Sequence, residues 1–157
     1  MTTFPPGFSD PERVASPFTI RQPVAWGEMD SLGHVNNTVY LRWFENVRFE
    51  YFERIGLNAV HRELGIGPIL ARTTCDFRAP VVFPDTVLLS CHCVRMGTKS
   101  FTLYNRVWST RDARLVAEGE AIIVMMQYGE GEPRSVAIPE SLRAAISTLD
   151  AEALAGG

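Results

Sequence analysis

Between Thr38 and Ile55 the apolar residues Tyr40, Phe44, Val47, Tyr51 and Ile55 recur at i, i+4, i+7, i+11 and i+15, with Trp43 beside them. That is the period of one long amphipathic helix. At 1.5 Å per residue it would be roughly 27 Å long, enough to run across a whole sheet. Leu41, Phe49 and Phe52 widen the apolar surface beyond one stripe, so the helix is expected to be enclosed on most sides. Asn36 or Asn37 suits the N-cap and Gly56 the C′ position. Glu45 and Arg48 fall inside the apolar arc, three residues apart, where a buried charge needs a partner. A semi-buried ion pair is the simpler reading, and a second catalytic carboxylate at Glu45 the alternative.

The rest of the chain supplies the sheet. Phe18 to Trp26 reads as a first strand, and Asn58 to Leu64 as a linking segment. The period then changes to 2: Ile69, Ala71, Thr73, Cys75, Phe77 and Ala79 share one face of a half-buried strand. Pro80 and Phe83-Pro84-Asp85 make a turn, and strands follow over Thr86 to Met96, Lys99 to Thr110 and Arg114 to Tyr128. Their links, Gly97-Thr98 and Arg111-Asp112-Ala113, are too short for a crossover and force antiparallel hairpins. Ile122 to Met126 is apolar on both faces, as in a doubly covered strand. Pro139 to Ala155 reads as a terminal helix. The architecture expected is α+β, an antiparallel sheet curled around one central helix, with the sheet's other face covered in a homo-oligomer. Residues 1–16 read as a flexible leader and 17–157 as a single domain.

At 157 residues, 46% hydrophobic and 21% charged, the chain fits an ordinary globular domain. A net charge of −3 with scattered Lys and Arg speaks against nucleic acid as a partner. No apolar run approaches the ~20 residues of a membrane span, and the N-terminus lacks a signal-peptide core. Three cysteines, Cys75, Cys91 and Cys93, fit no disulfide framework and suit the cytoplasm. In Cys91-His92-Cys93 the strand alternation turns His92 away from both thiols, so no metal site is expected there.

Gly27 to Tyr40, GEMDSLGHVNNTVY, puts an acid, a turn, a histidine and two asparagines directly ahead of the helix. An aspartate ionised at neutral pH can activate water or attack an acyl carbon, and the free N–H groups of a first helical turn polarise a carbonyl oxygen. Asp30 is the catalytic candidate; a plain Asx-turn ahead of Gly33 explains it equally well. His34 could supply a proton or simply be satisfied by the loop backbone. Tyr40, Trp43 and Phe44 could line an acyl pocket, though aromatics at helical spacing are more often core. No GxSxG, P-loop, GxGxxG or HExxH motif is present.

The stretch DSLGHVNNTVY from Asp30, with Leu41, Trp43, Phe44, Glu45 and Arg48 after it, resembles the hotdog-fold acyl-CoA thioesterases of the 4-hydroxybenzoyl-CoA thioesterase type. CDFRAPVVFPD from Cys75, MGTKSF from Met96, LVAEGEAIIV from Leu115 and IPESLR from Ile138 follow in that family's order, so the resemblance covers about residues 18 to 145. It implies the hotdog fold, a sheet wrapped around a long helix and paired into dimers or tetramers. Asp30 takes the place of the family's catalytic aspartate, nucleophile or general base, and Asn37 that of the backbone amide that polarises the thioester carbonyl. His34 matches the histidine of HVNN variants, although Leu32 stands where those carry an asparagine. Arg95, Lys99 and Ser100 correspond to residues that meet CoA. The implied activity is hydrolysis of an acyl-CoA without metal or redox cofactor. A module that binds acyl-CoA without cleaving it is the alternative, and a dehydratase or hydratase would call for a histidine-plus-acid arrangement that the chain lacks.

Overall fold

The structure, a computed structural model, describes residues 18–155; the expected leader, residues 1–16, lies outside them. The long helix is α1, Asn37–Arg54, capped by Asn36 and followed at Gly56 by the left-handed backbone (φ 81°) that favours glycine. Val39, Tyr40, Trp43, Phe44, Val47, Tyr51 and Phe52 are buried along it. Enclosure stops there: Leu41 is 41% and Phe49 56% exposed. The sheet of one chain covers one side of a helix, and i, i+4, i+8 places Leu41, Glu45 and Phe49 together on the other. Glu45 is therefore outside the buried arc, while Arg48, buried on the core side, reaches it at 3.9 Å. The pair exists, but only one partner is buried.

The sheet is antiparallel, in the order β1 (Thr19–Pro23), β4 (Thr86–Met96), β5 (Ser100–Ser109), β6 (Arg114–Gln127) and β2 (Ile66–Thr73), with β3 (Asp76–Phe77) and β7 (Arg134–Ser135) paired to β6. Rows of small and aliphatic residues face α1: Leu89 opposite Val107 opposite Ala117, and Cys93 opposite Leu103 opposite Ala121. All six are fully buried. His92 projects to the other face, against the Tyr104 ring. Burial and the nearby Arg106 push its imidazole down to about 4, so it is neutral. Among the described residues no three His, Cys, Asp or Glu side chains converge on a metal position.

Several boundaries differ from expectation for tertiary reasons. The first strand stops at Pro23, and Trp26–Glu28 is a 3-10 turn with Trp26 72% exposed. Asn58 to Leu64 is not a link but part of a helix, α2 (Leu57–Leu64), entered at Gly56 and left at Gly65, both left-handed, with Leu57 and Val60 buried. The expected strand over residues 69–79 begins earlier, at Ile66, and breaks at Thr74 and Cys75. There the chain crosses Gly119 so closely that a Cβ on that glycine would lie 2.0 Å from the Thr74 carbonyl oxygen. A bulge between Leu70 and Arg72 also upsets the alternation, leaving Ile69 to Arg72 exposed. Ile122, Val124 and Met126 of β6 are only half-buried within one chain. The terminal helix is two: α3 (Glu140–Leu149), capped by Pro139, and α4 (Ala151–Ala155), jointed at Asp150.

Candidate functional site

The segment between β1 and α1 is held at both ends by main-chain bonds. Val24 N–H donates to the Asp85 carbonyl at 3.0 Å and Val35 N–H to the Val81 carbonyl at 2.8 Å. Glu28 organises the interior: its Oε2 accepts from Ala25 N–H at 2.8 Å and its carbonyl from Asn36 N–H at 2.9 Å. Met29 and Val35 form an isolated antiparallel bridge, and Asp30 N–H donates to the His34 carbonyl at 2.8 Å. Asp30 to His34 is thus a closed five-residue loop whose bend is made by Gly33 at φ 76°.

Asp30 is half-buried. Its Oδ1 accepts from Leu32 N–H at 2.9 Å, the Asx-turn expected of an acid ahead of Gly33. That turn consumes one oxygen only. Oδ2 makes no hydrogen bond among the described residues and is left to meet a ligand or water. Asn36 is the N-cap: its Oδ1 accepts from Thr38 N–H at 3.0 Å and from the Thr38 hydroxyl at 2.7 Å, while its carbonyl takes Val39 N–H at 3.0 Å. Of the first-turn donors this leaves Asn37 N–H, at an exposed residue, without an acceptor among the described residues. An oxygen placed there would also meet the positive end of an 18-residue helix.

Asn36 is the functional residue that sequence reasoning leaves anonymous within the asparagine pair; only the capping geometry separates it from Asn37. Asn36→Ala is expected to cost about 1 kcal/mol of stability, and Asn36→Asp, which keeps the acceptor, to restore it. Urea denaturation of the three proteins measures this.

The other candidates are distributed unevenly. His34 is exposed, and its contribution to the loop is its carbonyl; the imidazole makes no hydrogen bond among the described residues. Trp43 and Phe44 are sealed in the core at 0% and 1% exposure, so they do not face an open site within one chain. Tyr40 is also buried, its ring 5.0 Å from that of Trp43 and tilted 58° to it, and edge-on to Phe77 at 5.1 Å. Burial pushes its phenol up to about 12, so it is a neutral hydroxyl.

Arg95, Lys99 and Ser100 gather at the β4–β5 hairpin. Arg95 donates to Thr102 Oγ1 at 3.1 Å, Lys99 to Ser135 at 3.3 Å, and the Ser100 carbonyl accepts from Gly97 N–H at 2.8 Å. The loop that carries Asp30 is tied to the opposite end of β4, where Val24 N–H meets the Asp85 carbonyl. Arg95 lies ten positions along the strand from Asp85, about 33 Å at 3.3 Å per residue. One chain therefore does not bring these three residues to Asp30. A cleft of about 580 Å³, lined by Phe49, Phe52, Leu57, His61, Pro68 and Tyr128, opens at the far end of α1; it was not foreseen because α2, one of its walls, reads as a link.

The Thioesterase-like superfamily profile matches residues 24–146. A thioesterase from Thermus thermophilus, solved with coenzyme A and zinc, superposes with a TM-score of 0.74 at 28% identity, over 87% of this chain and 96% of that one. The 4-hydroxybenzoyl-CoA thioesterase of Pseudomonas sp. strain CBS-3 superposes with a TM-score of 0.75 over 82% and 97% of the two chains; at 22% identity this shows a shared fold. Protein THEM6 of Danio rerio is 31% identical over 109 residues, which are 69% of this chain and 52% of that protein, so the match spans about half of its length. A profile match over most of the chain, on a sheet curled around one helix, makes this chain a member of the thioesterase-like superfamily, the thioester hydrolases of the hotdog fold.

Proposed function

We propose that the chain hydrolyses an acyl-CoA thioester to the free acid and CoA, with Asp30 as base or nucleophile. The observation that carries this reading is that Asp30 Oδ2 and Asn37 N–H, seven positions apart on one hydrogen-bonded loop-to-helix junction, both lack a partner among the described residues. The thioester carbonyl oxygen would accept from Asn37 N–H, which stabilises the charge that grows on it during attack. With Asp30 as base, a water loses its proton to the carboxylate as its oxygen bonds to the acyl carbon. The C–S bond then breaks, and the thiolate takes a proton to leave as CoA thiol. With Asp30 as nucleophile, Oδ2 bonds to the acyl carbon, the C–S bond breaks and the thiolate takes a proton to leave as CoA thiol; water then cleaves the resulting anhydride to the free acid and the Asp30 carboxylate. Neither route calls for a cofactor. His34, exposed at the end of the loop, would hydrogen-bond the substrate.

The site would be completed by a second copy. β2 is an edge strand, and Ile69 and Leu70 on it are 42% and 43% exposed, with Leu41 and Phe49 exposed on α1. An open apolar edge of this kind invites pairing. Two β2 strands paired antiparallel about a two-fold axis would run the two α1 helices in opposite directions. The far end of one chain, with Arg95, Lys99 and Ser100, would then approach the catalytic loop of the other, where cationic side chains could meet CoA phosphates. A dimer, or a dimer of dimers, is the assembly this reading requires. The free cysteines suit the cytoplasm, and no helix among the described residues is long and apolar enough to cross a membrane.

The test is a panel of aliphatic and aromatic acyl-CoAs with released thiol measured, alongside the mass in solution. Thiol release matched by free acid, from a dimer or larger species, is the expected result. Tight binding of intact acyl-CoA without thiol release would instead identify a binding module, and a strictly monomeric protein would remove the shared site.

A further inference from the structure

Asp150 plays no part in that chemistry, yet it is among the most buried polar residues, at 1% exposure. Its main chain joins the two terminal helices: its N–H donates to Ile146 at 2.9 Å and its carbonyl accepts from Leu154 N–H at 3.0 Å. Its side chain ties that joint to two other elements. Oδ2 accepts from the Tyr51 hydroxyl on α1 and from Cys93 N–H on β4, the latter at 2.8 Å. Oδ1 is buried with no hydrogen-bond partner among the described residues. No cation pairs with the carboxyl among the described residues. Arg48, one turn before Tyr51, is engaged with Glu45 at 3.9 Å. A buried carboxylate with one oxygen unsolvated and no counter-charge is costly, and holding a proton is the cheaper alternative.

We propose that Asp150 is a proton-operated latch for the C-terminal helices: the neutral carboxyl holds α3 and α4 against α1 and β4, and its ionisation loosens them. Leu142 and Ile146 of α3 are fully buried, and Leu149 and Leu154 pack against the core, so loosening would uncover one end of the core. Burial raises the Asp150 carboxyl above the ordinary aspartate range, a shift the Tyr51 and Cys93 donors oppose but do not cancel. The folded chain thus keeps this proton at pH values where the unfolded chain has lost it. Its stabilising effect is complete below the ordinary aspartate range and declines as pH rises, until the folded carboxyl has ionised.

The other groups facing the latch do not compete for that window. On α1, burial raises the Tyr51 phenol and lowers the Arg48 guanidinium, which remains a cation as arginines do in proteins. On β4, burial raises the Cys91 thiol and pushes Cys93 up to about 12.

The experiment compares wild type with Asp150→Asn, a neutral isostere that retains an acceptor for Tyr51 and Cys93, by thermal unfolding from pH 4 to 9. The wild-type Tm should fall relative to the variant by at least about 3 °C as pH rises. Amide exchange at Asp150 and Leu154, corrected for intrinsic rates, should accelerate over the same range in wild type only. Parallel Tm profiles would overturn the proposal, as would a variant destabilised equally at every pH. Should the variant not fold, the Asp150 carboxyl carbon can be titrated by NMR in the wild-type protein. A midpoint above the ordinary aspartate range supports the latch, and one within or below that range removes it.

Discussion

Asp30→Asn is expected to lower kcat for acyl-CoA hydrolysis by about 10²–10⁴-fold while leaving the fold and substrate binding nearly intact. Asparagine suits the test because it can keep the Asx-turn. Its Oδ1 still accepts from Leu32 N–H, the bond Asp30 makes at 2.9 Å, so the loop around Gly33 need not move. What is lost is the charge and the basicity of Oδ2, the atom without another task. Alanine would confuse the two roles by breaking the turn as well. If KM stays within a few-fold while kcat collapses, the carboxylate acts in the transition state rather than in binding. Unchanged turnover of the folded variant would take Asp30 out of the mechanism and reduce it to a turn residue. His34→Ala is a useful companion: its imidazole has no hydrogen bond among the described residues, so any loss of activity would come from contact with substrate and not from a damaged loop.

The parts of this protein that were legible in its sequence are those set by local periodicity. Tyr40 to Ile55 announces α1 because every buried position repeats within a turn of its neighbours, and Thr86 to Met96 is bounded by turn residues on both sides. The errors have non-local causes. The break after Thr73 follows from a contact with Gly119, far away in the chain, and nothing near Thr74 reports it. Leu57–Leu64 is short enough that two buried residues carry its packing, too few to display a helical period. The turn and cap of the loop ahead of α1 were legible because acid, glycine and asparagine are neighbours in sequence. The distance between that loop and Arg95 was not, since it depends on which end of β4 each attaches to. Asp150 was the least legible of all: 99 positions separate it from Tyr51, and read alone it is an ordinary acid in a terminal helix.

Asp85→Ala is expected to produce the largest loss of stability, roughly 3–5 kcal/mol, because one carboxylate organises the start of β4 and the β5–β6 turn together. Oδ1 accepts from Thr86 N–H at 2.7 Å, from Arg111 N–H at 3.1 Å and from the Thr110 hydroxyl at 3.4 Å. Oδ2 accepts from the Ser109 hydroxyl at 2.5 Å, whose oxygen in turn accepts from Asp112 N–H at 3.0 Å. Bonds to a charged acceptor contribute about 1.5–3 kcal/mol each, and their sum is reduced because they share one acceptor group and water can replace it for the exposed donors. Ser109, fully buried, cannot be rescued in that way. Asp85→Asn keeps the Oδ1 acceptor and presents an amide to the Ser109 oxygen, so it should cost clearly less than alanine. Equilibrium denaturation in urea would separate the three proteins, with the alanine midpoint lowest and the m-value unchanged if the unfolded state is the same. The loss should extend to the site. The Asp85 carbonyl holds Val24, where the chain leaves β1 for the loop that carries Asp30, so loosening this corner should depress kcat at temperatures where the variant is still folded. A wild-type-like midpoint for Asp85→Ala would mean that water replaces the carboxylate at little cost, and that the corner is held by its strand pairing alone.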